Sequence, residues 1–222
     1  MNNFIEEILI ILKIFYLYII KNNFNESKIN TKKSFESKEE LQKAVQKFNN
    51  KSIIEKYGDI SNWDVSNVTD MSGIFSNSKF NKDISNWDVS NVVTMRYMFF
   101  ESKFNRDISN WDVSNVKNMR YMFFNSKFDR DISNWNVGNV ADMSCMFLNS
   151  EFNKDISNWN VSNVTSMTEM FSESKFNRDI SNWDVSNVIN IQHMFFNNWY
   201  VGNDTNMNNM FYNCIILEEY KP

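Results

Sequence analysis

The tightest constraint on this chain is a period. The decapeptide D-I-S-N-W-D-V-S-N-V stands at residues 59–68, and close copies begin at Asp83, Asp107, Asp131, Asp155 and Asp179. Trp63, Trp87, Trp111, Trp135, Trp159 and Trp183 follow one another at intervals of 24 residues. A period of about 20 to 50 residues marks an array of like units, each too small to bury its own apolar face and therefore dependent on its neighbours.

The third unit shows what each one is expected to build. Ile108, Trp111, Val113 and Val116 are spaced I-x-x-W-x-V-x-x-V, the spacing of the strand segment in leucine-rich repeats. This predicts a short strand centred on residues 111–113. Val116, Met119, Met122 and Phe123 then recur at helical spacing, which predicts a short helix with Ser114 or Asn115 at its cap. Phe128 anchors the return segment. The expected fold class is an α/β repeat solenoid, leucine-rich-repeat-like, with a short strand and a short helix in each 24-residue coil and a helical N-terminal cap.

The rest of the chain is arranged around the array. Residues 1–24 form a hydrophobic N-terminal helix whose apolar run, 4–20, includes Glu6, Glu7 and Lys13. The run is shorter and more charged than the roughly 20 apolar residues of a spanning helix, and it lacks the small-residue cleavage site of a signal peptide. Packed on protein, it leaves the chain soluble and intracellular; used as an anchor, 4–20 associates it with a membrane. Residues 25–36 read as a polar linker. Residues 37–57 read as an amphipathic capping helix region. Ser37 and Glu40 make a capping box there, and Leu41, Ala44, Val45 and Phe48 share one face. Residues 58–217 hold six full repeats and one shortened one, because Met194 and Met210 are 16 residues apart instead of 24. Residues 218–222 are a charged tail.

Composition excludes several functions. A net charge of −4 argues against nucleic acid as the partner. Two cysteines, Cys145 and Cys214, are neither a disulfide framework nor a zinc pattern, and read as free thiols. A single histidine, His193, rules out paired-histidine metal sites, and four glycines rule out phosphate-cradling loops. No cofactor is implied, and no nucleophile–base pair stands outside the repeated positions, so the chain reads as a non-enzyme.

Stacking turns each repeat position into a column. The Asp column (Asp59, Asp83, Asp107, Asp131, Asp155, Asp179) suits turn carboxylates that accept backbone N–H bonds, and the Asn column from Asn67 to Asn187 suits side-chain bonds to backbone. The Trp column suits packing. Recognition is expected where copies differ: Ser72-Gly73, Arg96-Tyr97, Arg120-Tyr121, Ser144-Cys145, Thr168-Glu169 and Gln192-His193. With Phe100 and Phe124, the second and third units place Arg96, Tyr97, Phe100, Arg120, Tyr121 and Phe124 on adjacent coils. This arginine and aromatic composition suits an interface with a protein partner.

The unit D-I-S-N-W-D-V-S-N-V-x-x-M-x-x-M-F-x-x-S-x-F-N-[KR] resembles the BspA-like leucine-rich-repeat family, which includes a repeat of unknown function in mycoplasma surface lipoproteins. The likeness spans about residues 37–211. It implies a leucine-rich-repeat-like solenoid and, for many members, a secreted or surface protein used in adhesion. Two functions follow as expectations: a protein-interaction solenoid that binds through its variable positions, or an extracellular or membrane-tethered adhesin-like protein.

Overall fold

The computed structural model describes Tyr16 and residues 33–196. Contacts divide the chain into Met1–Lys33 and Ser34–Pro222. Apart from the helical Tyr16, the expectations for the hydrophobic stretch 4–20 lie outside the described residues, as do those for Cys214, the shortened seventh unit and the tail. No helix among the described residues is long and apolar enough to cross a membrane.

The second unit begins with two helices. In α1 (Lys38–Val45), the Ser37 hydroxyl accepts from the Glu40 N–H at 3.2 Å, and the Glu40 carboxylate accepts from the Glu36 N–H at 3.2 Å. The expected capping region breaks at residues 46–50, because Asn50 starts a second helix, α2 (Lys51–Tyr57), by accepting from the Ser52 N–H at 3.0 Å. Gly58, at φ 76°, ends α2. Leu41, Ala44, Val45 and Tyr57 are buried. Phe35 stacks on Tyr57 at 4.2 Å and meets Trp63 of the first coil at 5.0 Å, while Phe48 meets Phe80 edge-on at 5.4 Å. Lys38 donates to Asp70 at 3.2 Å. The two helices therefore lie against the first coil and continue its core.

The coils follow at 59–82, 83–106, 107–130, 131–154 and 155–178, with a sixth described from 179 to 196. They correct the expected α/β architecture. Among the described residues there is no strand; parallel pairing is limited to isolated bridges that link Asp70, Thr94, Asn118, Asp142, Ser166 and Asn190 in sequence. Nor is there an α-helix in any described coil; the first carries a single 3-10 turn at Ile60–Asn62.

The reason is where the backbone hydrogen bonds go. In the third coil, the segment expected as a strand is two successive turns. The Asp107 carboxylate accepts from the Ser109 N–H at 2.9 Å and the Trp111 N–H bonds the Ile108 carbonyl at 3.1 Å; Asp112 and Val113 repeat the pattern toward Ser114 and Val116. In the segment expected as a helix, the N–H groups of Met119, Tyr121, Phe123 and Asn125 do not turn back four residues. They donate to Asp142, Ser144, Met146 and Leu148 of the next coil at 2.9–3.0 Å. Tyr121 at φ 58° and Asn125 at φ 47° are left-handed, which no α-helix tolerates. Met122 and Phe124 instead bond three residues back, to Met119 and Tyr121. Apolar residues at i, i+3, i+6 and i+7 are thus served by linked turns, and the alternate N–H groups point from coil to coil.

Side chains complete the register. The Trp111 indole N–H donates to the Ile84 carbonyl of the preceding coil at 3.1 Å, and Trp87, Trp135, Trp159 and Trp183 do the same one coil along each time. Asn115 donates to the Ser90 carbonyl at 2.8 Å, with Asn91, Asn139, Asn163 and Asn187 in the same role. Eight apolar side chains of each central coil are buried, as Ile108, Trp111, Val113, Val116, Met119, Met122, Phe123 and Phe128 illustrate. Phe75, Phe99, Phe123, Phe147 and Phe171 stack 5.4–5.7 Å apart as one column.

Candidate functional site

The linked turns present most of their variable side chains at the surface, Ser144 and Cys145 being buried. The turn residue at Gly73, Tyr97, Tyr121, Cys145, Glu169 and His193 has positive φ in every coil, between 54° and 70°. That conformation costs a β-carbon about 1–2 kcal/mol and is held here by the inter-coil bonds on both sides. It directs the side chain away from the buried methionines that flank it.

The six residues singled out in the sequence come together. Tyr97 and Tyr121 stack at 4.9 Å with planes 8° apart, and Phe100 and Phe124 stack at 4.6 Å with planes 10° apart. The two pairs meet edge to face, Tyr97 with Phe100 at 5.6 Å and Tyr121 with Phe124 at 5.7 Å. The Arg96 guanidinium lies 5.6 Å from the Tyr97 ring centre, and that of Arg120 lies 5.2 Å from Tyr121. Arg96 is exposed and the other five are half-buried, so none is sealed under a neighbouring coil. Neither arginine has an ion-pair partner among the described residues. The Tyr121 hydroxyl and the nearby Asp142 both favour the charged form of Arg120.

The column closes on one side and opens on the other. Beyond Tyr121 stands Cys145, 2% exposed, whose thiol lies 3.5 Å from the Glu169 carboxylate and 3.7 Å from the Thr168 carbonyl. Burial pushes this thiol up to about 11, so it is protonated at neutral pH and a poor nucleophile. Cys145 and burial together push the Tyr121 hydroxyl above its ordinary range. On the opposite side, Gly73 occupies the equivalent place with no side chain. A β-carbon there would meet nothing nearer than that of Ser76, at 4.0 Å. Gly73 and Ser76 also border a cleft of about 590 Å³ between α1 and the first coil, with Gln42, Phe48, Lys79 and Lys82 among its walls. In sequence Gly73 stands out only as a variable position. The available signal was a glycine in a column otherwise made of larger side chains.

The Asp and Trp columns are structural, as their spacing suggested. Asp59, Asp83, Asp107, Asp131, Asp155 and Asp179 each accept the N–H two residues on at 2.9 Å. Those bonds hold Asp83, Asp107, Asp155 and Asp179 below the usual carboxylate range. Among the described residues, no group of three His, Cys, Asp or Glu side chains is placed to hold a metal.

Comparison with curated proteins gives no match, and comparison with solved structures gives none. One family model matches twice, over residues 32–151 and 124–220, and so takes in the helical cap and the whole array. The overlap of the two matches is what a shared repeat produces. The chain belongs to the family described as "Mycoplasma protein of unknown function, DUF285".

Proposed function

We propose that this chain is a non-enzymatic protein-binding array and that its recognition surface is the cluster of Arg96, Tyr97, Phe100, Arg120, Tyr121 and Phe124. One observation carries the reading: four half-buried aromatic rings stack on adjacent coils, and two guanidiniums without ion-pair partners among the described residues lie beside them. Tyr and Arg are the residue types that dominate interface energetics. Their stacking orders them before any partner arrives, which lowers the conformational entropy lost on binding. The surrounding columns are occupied by hydrogen bonds that hold the coils together, which leaves the cluster as the part of this surface with unspent binding capacity.

The test is affinity capture from the source cells with the full-length chain and with a variant carrying Arg96→Ala, Tyr97→Ala, Arg120→Ala and Tyr121→Ala. A protein retained by the wild type and released by the variant, with both folded by circular dichroism, is the expected result. Equal capture by both would remove the cluster as the interface.

A further inference from the structure

The Tyr column has an empty rung. Tyr121 is covered on the side of the fourth coil by Cys145, and Tyr97 is covered by Tyr121 at 4.9 Å. In the first coil the equivalent residue is Gly73, whose N–H donates to the Arg96 carbonyl at 2.9 Å, as the Tyr97 N–H donates to Arg120 at 3.0 Å. Its φ of 70° is close to the 57° and 58° of the two tyrosines, so the backbone track is the same and only the ring is missing. Among the described residues, the ring contacts of Tyr97 are with Tyr121 and Phe100. The Arg96 guanidinium also lies over this ring, 5.6 Å from its centre. No aromatic side chain of the described residues covers the side toward Gly73, so a planar group entering the recess can join the ring and the guanidinium there.

Basic groups predominate around this recess. Lys79 and Lys82 line the adjoining cleft, which no Asp or Glu lines. Arg96, Lys79 and Lys82 have no ion-pair partner among the described residues. Asp70, the carboxylate of the same linked turns, is already held by Lys38 at 3.2 Å and by the Ser72 N–H at 2.7 Å. A cationic rim around an apolar ring face is complementary to an aromatic side chain flanked by carboxylates.

We propose that the recess over Gly73 receives an aromatic side chain from an acidic segment of a partner protein, with the ring stacked on Tyr97 and the neighbouring carboxylates on Arg96, Lys79 and Lys82. This rests on the protein-binding reading above and specifies its partner. A peptide suits the site better than an anionic polysaccharide because the Tyr97 ring demands a planar apolar group beside the charges.

The chain supplies its own blocking variant. Gly73→Tyr places on the first coil the ring that the second and third coils already carry at the same φ, so it fills the rung without asking the backbone for a new conformation. Fluorescence anisotropy of the full-length chain with labelled peptides, a tyrosine between glutamates and the same tyrosine between lysines, reads the outcome. The acidic peptide is expected to bind and the basic one not. Gly73→Tyr is expected to weaken binding about tenfold, with an unchanged circular dichroism spectrum, as loss of one aromatic stack with its neighbouring charge contact implies. Arg96→Ala should weaken binding and reduce its salt dependence. Equal binding by Gly73→Tyr overturns the recess. If Tyr121→Ala and Phe124→Ala then still abolish binding, the broader cluster survives that failure. Preference for the lysine-flanked peptide, or no binding of either, overturns the acidic partner. Heparin binding that outcompetes the acidic peptide and ignores Gly73→Tyr assigns the charges to a polysaccharide and likewise overturns it.

Discussion

Each repeated polar residue has a defined bond to make, and the chain contains its own controls for which property matters. Asp64, Asp88 and Asp112 hold a turn by accepting the N–H two residues on, and Asn136 and Asn160 do so in the next two coils at 3.2 and 3.1 Å. The requirement is an acceptor oxygen and not a charge. Asp88→Asn is therefore expected to melt with the wild type, and Asp88→Ala to lose about 1 kcal/mol, the usual value of one hydrogen bond; denaturant titration separates the two. Charge does enter the pH dependence. Asp83, Asp107, Asp155 and Asp179 have folded-state values below 3.8. A depressed carboxylate adds stability that is complete above its unfolded value and is lost as the pH falls through the folded one. Thermal melts should thus decline on acidification below about pH 4, and replacing those four aspartates with asparagine should flatten the decline. An unchanged slope in that variant would count against this origin. Cys145, protonated and buried, is expected to escape iodoacetamide at pH 8 in the native chain and to react once the chain is unfolded, as peptide mapping by mass spectrometry would show.

At the scale of elements, the cap and the coils differ in what their residues reveal. The capping box at Ser37 was readable because its partner is three residues away. Asn50 caps a second helix from within the expected helical region, which is two helices. Phe35 fell in the stretch read as linker, yet it is fully buried between Tyr57 and Trp63 and its N–H donates to the Asp64 carbonyl at 3.0 Å. It covers the open end of the first coil. Phe35→Ala is expected to cost about 3–5 kcal/mol, as for a fully buried phenylalanine. Amide exchange should show its loss first in α1, α2 and the first coil; uniform loss along the array would argue against a capping role. Within the coils, apolar spacing pointed to a helix because helical spacing and linked turns bury the same positions. The two are told apart by φ at Tyr97, Tyr121, Cys145, Glu169 and His193, and of these only histidine is a residue type enriched in the left-handed region. The glycine at that position, Gly73, hints most directly at the conformation.

At the scale of the molecule, every inter-coil backbone bond joins residues close to one period apart, so the array should tolerate changes by whole periods and by nothing else. Removing residues 107–130 joins Arg106 to Asp131, a junction like Arg130 to Asp131. That variant is expected to keep a cooperative melt at a somewhat lower temperature. Removing 107–118, half a period, shifts every N–H past its acceptor and is expected to abolish the transition in circular dichroism. Two equivalent melts would mean that register does not hold the coils together. The sequence by itself determined the 24-residue coil, its eight buried positions, the structural use of Asp, Asn and Trp, and the adjacency of Arg96, Tyr97 and Phe100 to Arg120, Tyr121 and Phe124. All of these follow from periodicity, since equal spacing places equal residues in register. The tertiary structure alone decided that the described coils are turns without strand or α-helix, that the aromatic column ends at Cys145 and has no ring over Gly73, and that the two arginines lack ion-pair partners among the described residues. Those properties depend on whether a backbone N–H finds its acceptor within its own coil or in the next one, and local spacing is the same in both cases.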